Sequence, residues 1–344
     1  MWNGPSWNCN RCQTMYRASV GITTSMKVSE TRWIGENAEA LGIDGIWVGE
    51  DIGIGQETSI LTADLLSKTT NVRVGTGIVP LTVHNISTIA RAALTLHEIG
   101  TGRYILGIGI GGIQDLIKHG IHLTKPVTEL RKSTQVLREL FQTESVTIQT
   151  ELINLRDFSL RTTEPVTIPI FYGVRGPQML KLAGKIADGV ILSGPIDYIK
   201  YATEVIDNAA MAEGRKSEDV EKVVWLPTIP TFKGGSEKLA KMVVALVVAD
   251  MPEQVLDLVD IDRERADTIR SAVAESGPKG GAEYIDQHFI DTFAISGSCE
   301  HVVDRFELIH SLGATELVLG PPFSGEWREA MTEIFQEIHL RRDR

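Results

Sequence analysis

The chain has 344 residues, of which 42% are hydrophobic and 23% are charged, and its formal net charge at pH 7 is −11. These proportions are typical of a soluble globular protein, and a negative charge without a Lys/Arg-rich run argues against a nucleic-acid partner. No apolar run approaches the roughly 20 residues that a membrane span requires, and no signal peptide is recognisable at the N-terminus. Three cysteines suit a reducing compartment, so we expect a cytoplasmic protein without a membrane partner.

From about residue 17 onward, the chain alternates predicted strands and helices. Apolar runs predict eight strands, at 18–23, 45–48, 72–76, 104–108, 168–172, 190–192, 223–227 and 316–319. Amphipathic segments predict helices at 29–41, 57–68, 87–98, 126–142, 177–187, 197–213, 298–312 and 326–340, the first of them capped by Ser29. A small hairpin is predicted at 145–163, and several helical pieces are predicted within 236–294.

Eight strands that alternate with helices imply an all-parallel α/β sheet. The handedness of βαβ crossovers leaves an open doubly wound sheet or a (β/α)₈ TIM barrel, and the absence of a topological switch favours the barrel. We therefore expect an N-terminal extension over residues 1–16 and one barrel domain over residues 17–344. A helical insertion is expected at residues 233–297.

Candidate chemistry lies where the predicted strands end, because catalysis in such a barrel takes place at the carboxyl rim. Glu50 and Asp51 follow the second strand and suit acid–base catalysis or cofactor binding, with a solvated helix-capping pair as the alternative. Gly77 and Ile78 follow the third strand, where glycine lets a flat ligand approach the backbone or simply makes a tight corner. His84, which comes next, is interpreted as an ordinary loop histidine.

Two more strand ends carry candidate ligand contacts. Gly109 and Gly111 lie in the loop after the fourth strand, which is a candidate nest of backbone amides. Ser193 ends the sixth strand and is a candidate contact to a phosphate or a ring edge. A dinucleotide fingerprint in the required context, a P-loop and a legible Ser/His/Asp arrangement are all absent from the sequence.

The turn after the fifth strand predicts an anion site. Free N–H groups at the start of the following helix attract a phosphate, and an arginine adds positive charge. A plain turn with that arginine in solvent is the alternative interpretation. The candidate residues are Gly173, Val174, Arg175, Gly176, Pro177 and Gln178.

No metal site is predicted. Cys9 and Cys12 form a CxxC pair without a second pair, so we interpret them as incidental thiols of a loose tail. His119 and His122 lack an acidic partner at metal-ligand spacing and are expected at the surface.

Several segments together resemble the bacterial luciferase-like superfamily, and more closely the methylenetetrahydromethanopterin reductases that use coenzyme F420, a deazaflavin. One of them is Gly-Arg-Tyr-Ile-Leu-Gly-Ile-Gly at 102–109, and the others lie at 38–47, 74–78, 125–127, 168–177, 179–184, 187–189, 241–245 and 293–297. The resemblance spans residues 18–340.

The resemblance implies a barrel with insertions and a cis peptide bond at Gly77–Ile78, where a bulge backs the deazaflavin ring. It places the cofactor phosphate at the turn over residues 173–178. It implies coenzyme F420 (with FMN as the alternative), a small-molecule substrate of the tetrahydropterin type, and a homodimer or homotetramer.

Three departures from the family pattern stand out. The family reductase has a glutamate where Thr23 stands (or Thr24, if the register is shifted by one residue), Asp-His where Glu50-Asp51 stands, and an acid where Gly112 stands. Thr23, Glu50 and Asp51 are thus the catalytic candidates, and the two acids offer a replacement carboxylate. The departures leave two alternatives open: an FMN-dependent luciferase-like monooxygenase, and a catalytically silent paralogue that binds cofactor.

Overall fold

The fold is a closed ring of parallel strands with helices outside it, as a computed structural model of residues 16–53, 55–160 and 164–343 shows. Its strands are β1 Arg17–Thr23, β2 Gly45–Gly49, β3 Arg73–Thr76, β4 Val79–Pro80, β5 Tyr104–Gly109, β6 Val146–Gln149, β7 Asn154–Phe158, β8 Ile170–Gly173, β9 Gly189–Leu192, β10 Glu221–Pro227 and β11 Glu316–Gly320.

Helices connect these strands on the outside of the ring. They are α1 Val28–Leu41, α2 Thr58–Lys68, α3 Ile86–Ile99, α4 Ile113–Lys118, α5 Pro126–Phe141, α6 Pro177–Ile186, α7 Ile196–Ala212, α8 Glu237–Asp250, α9 Glu253–Leu256, α10 Arg263–Ala282, α11 Gln287–Phe293, α12 Cys299–Ser311 and α13 Trp327–Arg342. A short 3₁₀ turn spans Ser217–Asp219.

Eight strand positions close the barrel. Hydrogen bonds follow the order β3-β2-β1-β11-β10-β9-β8-β5, and a pairing of β5 with β3 completes the ring. These pairs are parallel, which confirms the predicted (β/α)₈ barrel. The third position is split into β3 and β4, both paired with β5. The Gly77–Ile78 peptide bond between them is cis, as the resemblance implied.

The barrel interior is packed with side chains, because alternate residues of each strand point inward. Its middle is an apolar cluster of Trp47, Ile105, Phe171, Ile191, Val223 and Val318, all buried. Two side chains, Ile78 and Trp225, pack on that cluster and are partly exposed. Both lie further toward the carboxyl ends of their strands, so they form the floor of the barrel mouth.

Charged pairs close the opposite, amino-terminal end of the barrel. Glu316 is fully buried and accepts a hydrogen bond from Trp47 Nε1 at 2.6 Å. Arg73 and Arg17 each pair with both Glu316 and Glu221. Burial lowers the pKa of Arg73 to about 10, which leaves it charged at neutral pH. The positive charges of two arginines and the negative charges of two glutamates therefore compensate each other at the closed base of the barrel.

The predicted excursions from the barrel are present. β6 and β7 form an antiparallel hairpin within the predicted hairpin segment. The expected helical insertion contains α8 to α11, with α8 packed along α10. α10 bends at Gly277, whose φ of 71° lies in the left-handed region, and Pro278 follows it. The insertion thus consists of helices rather than of another barrel strand.

Two local details differ from the sequence prediction. α1 begins at Val28, and the Glu30 carboxylate accepts the Lys27 N–H at 2.9 Å, so the prediction of Ser29 as the cap is wrong. α4 was not predicted, because six residues after a Gly-rich loop carry little periodicity. Cys9 and Cys12 lie outside the described residues, whereas Tyr16, counted with the extension, is buried.

Candidate functional site

The two adjacent acids after β2 point in opposite directions. Trp47 belongs to the interior cluster, and a Cβ on Gly49 would point to the indole of Trp225 in the barrel mouth. β2 ends at Gly49, and of the two acids that follow it Glu50 contacts Thr58 and His84 on the helical side, whereas Asp51 contacts the segment after β1 at the mouth. Only one of the two acids is therefore directed to the mouth.

Asp51 forms a small polar cluster at the rim with residues that follow β1. Its Oδ2 accepts the backbone N–H of Ser25 at 3.2 Å, and its own N–H donates to Thr24 Oγ1 at 2.9 Å. Thr23 Oγ1 lies 2.9 Å from Ser25 Oγ. The structure thus brings together Asp51 and Thr23, two of the three predicted catalytic residues.

Glu50, the third, lies in a different environment. Its Oε1 is 2.7 Å from His84 Nε2, and its Oε2 accepts a hydrogen bond from Thr58 Oγ1 at 2.9 Å. The side chain is only 12% exposed. The hydrogen bond to Glu50 raises the pKa of His84 above its usual value, although burial opposes the shift. The pair holds the end of β2 to the start of α2 and to the loop before α3.

His84 is the polar residue that sequence reasoning undervalued. It lies 34 positions from Glu50, and no local spacing links the two residues. The signal that would have found the pair is topological: β2 and β3 are neighbours in the sheet, so the segments that follow them meet at the rim. Trp225 was also missed, because one tryptophan in a strand is more typical of an ordinary core.

Glycines around Ile78 make room for the bulge between β3 and β4. A Cβ on Gly173 would lie 2.5 Å from Ile78 Cγ2, and one on Gly109 would lie 3.0 Å from Ile78 Cδ1. A Cβ on Gly77 would likewise lie 3.0 Å from Trp225 Cζ3. The predicted Gly77–Ile78 support and two of the predicted glycines therefore lie together at the mouth.

Two other predicted contacts lie on the same rim. Gly111 has a φ of 106°, which favours glycine, and it follows β5 within the predicted amide loop. Ser193 directly follows β9 and is half-buried. Both stay predictions as ligand contacts.

The turn from β8 to α6 combines a fixed backbone with open space. Tyr198 donates its hydroxyl to the Arg175 carbonyl at 2.9 Å, and Val174 is buried. Gly176 caps α6, Pro177 is its first residue, and a Cβ on Gly176 would meet nothing within 4 Å. An anion can therefore reach the free N–H groups at the helix start, where Gln178 is exposed.

Arg175 in this turn is paired rather than isolated in solvent. Its Nη1 lies 3.5 Å from Asp250 Oδ2 at the end of α8. Burial raises the pKa of Asp250, and the arginine opposes that shift. The guanidinium remains about one-third exposed, so it stays accessible to a ligand beside Gly176.

Neither a metal centre nor a membrane helix occurs in the part of the chain that the structure describes. No three His, Cys, Asp or Glu side chains there are grouped so as to hold a metal ion. No helix there has both the length and the apolar character to cross a bilayer.

Comparison with known proteins assigns the family. The family model described as luciferase-like monooxygenase matches residues 11–316. The chain belongs to the luciferase-like family. The 5,10-methylenetetrahydromethanopterin reductase of Archaeoglobus fulgidus is 30% identical over 93% of this luciferase-like chain and 97% of its own length. The 5,10-methylenetetrahydromethanopterin reductase of Methanolobus tindarius is 29% identical over 88% of this chain and 93% of its own length.

A solved structure with the same barrel is the coenzyme F420-dependent tetrahydromethanopterin reductase of Methanopyrus kandleri. It superposes with a TM-score of 0.86 at 22% identity and covers 95% of this chain and 99% of its own. This similarity supports the barrel assignment throughout the luciferase-like chain.

Proposed function

We propose that this luciferase-like protein is an F420-dependent oxidoreductase that transfers a hydride between reduced deazaflavin and a C1-carrying tetrahydropterin. The observation that carries the proposal is the combination, at one barrel rim, of an apolar Ile78 surface and an open helix start at Gly176. A ring with an anionic tail needs both features. The names of the relatives point to the same substrate class, and the solved structure of the Methanopyrus kandleri reductase names coenzyme F420 as its cofactor.

The residues at the barrel mouth fit both the ring and the phosphate of such a cofactor. Ile78 lies against Gly109 and Gly173, where side chains would collide with it, and this leaves an apolar support for a planar ring. Backbone N–H groups at the start of α6 and the Arg175 guanidinium suit a phosphate. When bound, reduced deazaflavin supplies the hydride.

Asp51 is the proposed proton-handling group. It lies on the inward face of the β2 end, and Ser25 and Thr24 hold it by backbone and hydroxyl hydrogen bonds. A carboxyl group at that position exchanges a proton with the substrate. Thr23 beside it provides a hydroxyl that orients the substrate, and Glu50 acts from behind by holding the β2 end.

The test is a titration of the purified protein with F420 and with FMN, followed by absorbance. We expect F420 to bind, and its reduced form to be reoxidised on addition of methylenetetrahydromethanopterin or methylenetetrahydrofolate. Preferential FMN binding with oxygen uptake would instead support the monooxygenase. Binding of F420 without turnover of either pterin would support the silent paralogue.

We also propose a cytoplasmic homodimer or homotetramer in which residues 17–344 form one domain. Light scattering of the purified protein measures the oligomer directly. A monomer at micromolar concentration would contradict this part of the proposal without affecting the cofactor assignment.

A further inference from the structure

Four glycines surround one side chain in the barrel mouth. A Cβ on any of them would come within 3.2 Å of the Trp225 indole. They are Gly320, Gly21, Gly49 and Gly77. The first three lie on the neighbouring strands β11, β1 and β2, and Gly77 directly follows β3. The indole therefore lies across about half of the lumen, with its pyrrole edge at Gly320 and its benzene edge at Gly77.

The floor of the mouth consequently has two halves. Ile78 covers the half near Gly109 and Gly173, on β5 and β8, and this is the side of the phosphate turn. Trp225 covers the half near β1 and β2. Both side chains pack on the buried interior cluster and are themselves partly exposed, so each presents a surface to a ligand.

Polar side chains flank the Trp225 half. Thr23 lies two residues beyond Gly21 on the same face of β1, a rise of about 7 Å, and Asp51 lies two residues beyond Gly49, just past the end of β2. A planar apolar surface with a carboxylate at its edge suits a flat heterocycle, which stacks on the indole and donates N–H groups to the carboxylate.

We propose that Trp225 is a positioning residue for the substrate, and that a planar pterin-type heterocycle stacks on its indole with one edge toward Asp51. The inference rests on the proposed function, which assigns the Ile78 half to the cofactor ring. It adds that the substrate ring and the cofactor ring bind on different halves of the floor. Loss of the indole should therefore weaken substrate binding and leave cofactor binding unchanged.

The test measures two dissociation constants by calorimetry, for F420 on the free protein and for tetrahydromethanopterin or tetrahydrofolate on the F420-loaded protein. For Trp225→Leu, we expect the pterin to bind about tenfold more weakly, which is the size of one lost stacking contact. The dissociation constant for F420 should change less than about twofold. Trp225→Phe keeps a ring and should stay within about threefold for the pterin.

A matched control is Trp33→Phe. Trp33 lies on α1, outside the barrel, and packs edge-to-face against Trp327 with the ring centroids 5.1 Å apart. This variant should bind both ligands like the wild type. If Trp225→Leu does not fold, Gly49→Ala disturbs the same floor, since its Cβ would lie 3.2 Å from the indole Cη2. It should produce the same selective loss of pterin binding.

Three results would overturn the inference. Pterin affinity could be unchanged in Trp225→Leu, F420 affinity could fall as much as pterin affinity, or the F420-loaded wild type could bind neither pterin. None of these three results contradicts the binding of F420 to the wild type. A wild type that does not bind F420 overturns both the inference and the proposed cofactor.

Discussion

Glu50 and Asp51 are neighbours in the chain but face different parts of the protein. Asp51 contacts the segment after β1 at the barrel mouth, whereas Glu50 contacts His84 and Thr58 on the helical side. The acids therefore suit different tasks: Asp51 lies at the barrel mouth, where we propose that the substrate binds, and Glu50 holds the rim. Single substitutions should separate these tasks.

Asp51→Asn should lower turnover by about a hundredfold, which is the usual contribution of a positioned acid or base. The amide keeps the shape of the side chain, so the dissociation constant for F420 should stay at the wild-type value. Steady-state kinetics and an F420 titration measure the two quantities. Glu50→Gln is the matched control and should retain most of the turnover. Equal losses in both variants would contradict the assignment of Asp51.

His84→Gln should lower the free energy of unfolding by about 1 kcal/mol at pH 6 and by less at pH 9. The Glu50 hydrogen bond raises the pKa of His84 in the folded protein above 6.5. The bound proton therefore stabilises the fold fully below the unfolded pKa, and this stabilisation is lost as the pH rises through the folded pKa. Urea unfolding at both pH values measures the effect. The matched control is His122→Gln at an exposed position, which should change the free energy of unfolding at pH 6 by less than about 0.5 kcal/mol.

At the scale of elements, the turn from β8 to α6 shows why two nearby glycines have different roles. Gly173 ends β8 under the Ile78 side chain, where no Cβ fits. Gly176 caps α6 with an ordinary φ of −71° and open space around it. The first glycine is required by packing, and the second leaves room for a ligand.

Gly176→Val should weaken F420 binding by about tenfold, because its side chain occupies the space at the proposed anion site, and should lower the melting temperature only by as much as a poorer helix cap does. Gly173→Ala should lower the melting temperature more, because its Cβ would lie 2.5 Å from Ile78 Cγ2, and should leave the proposed anion site open. Thermal unfolding and an F420 titration of both variants check this contrast. Unchanged F420 affinity in Gly176→Val would rule out the phosphate position.

At the scale of the whole molecule, the barrel is closed at its base by charges and at its mouth by aromatic and aliphatic side chains. The base joins β1, β3, β10 and β11 through Arg17, Arg73, Glu221 and Glu316. These residues come from both ends of the chain, so the network ties the first strand to the last.

Glu316→Gln should lower the free energy of unfolding by about 3–5 kcal/mol, because it removes the fully buried carboxylate and leaves the mostly enclosed Arg73 with only part of its compensating charge. Glu337→Gln, which removes a carboxylate that pairs with Arg341 on α13, should cost about 1 kcal/mol or less. Denaturant unfolding of both variants measures the difference. Similar losses in the two variants would show that the base network is not needed for barrel stability.

The sequence alone was sufficient for the barrel and for much of the rim. Apolar runs located the strands, Pro177 and Gly176 marked the start of a helix, and the resemblance carried the cis bond at Gly77–Ile78. These features are local in the chain, so a pattern of a few residues predicts them.

Only the tertiary structure decided which residues meet at the rim. His84 reaches Glu50, Arg175 reaches Asp250 over 75 positions, and Trp225 lies among glycines from residues 21 to 320. The sequence does not show which of two adjacent acids faces inward, because that depends on which residues of β2 point into the closed barrel. The physical reason is closure: a barrel brings distant strands side by side and gives each strand one face toward the lumen.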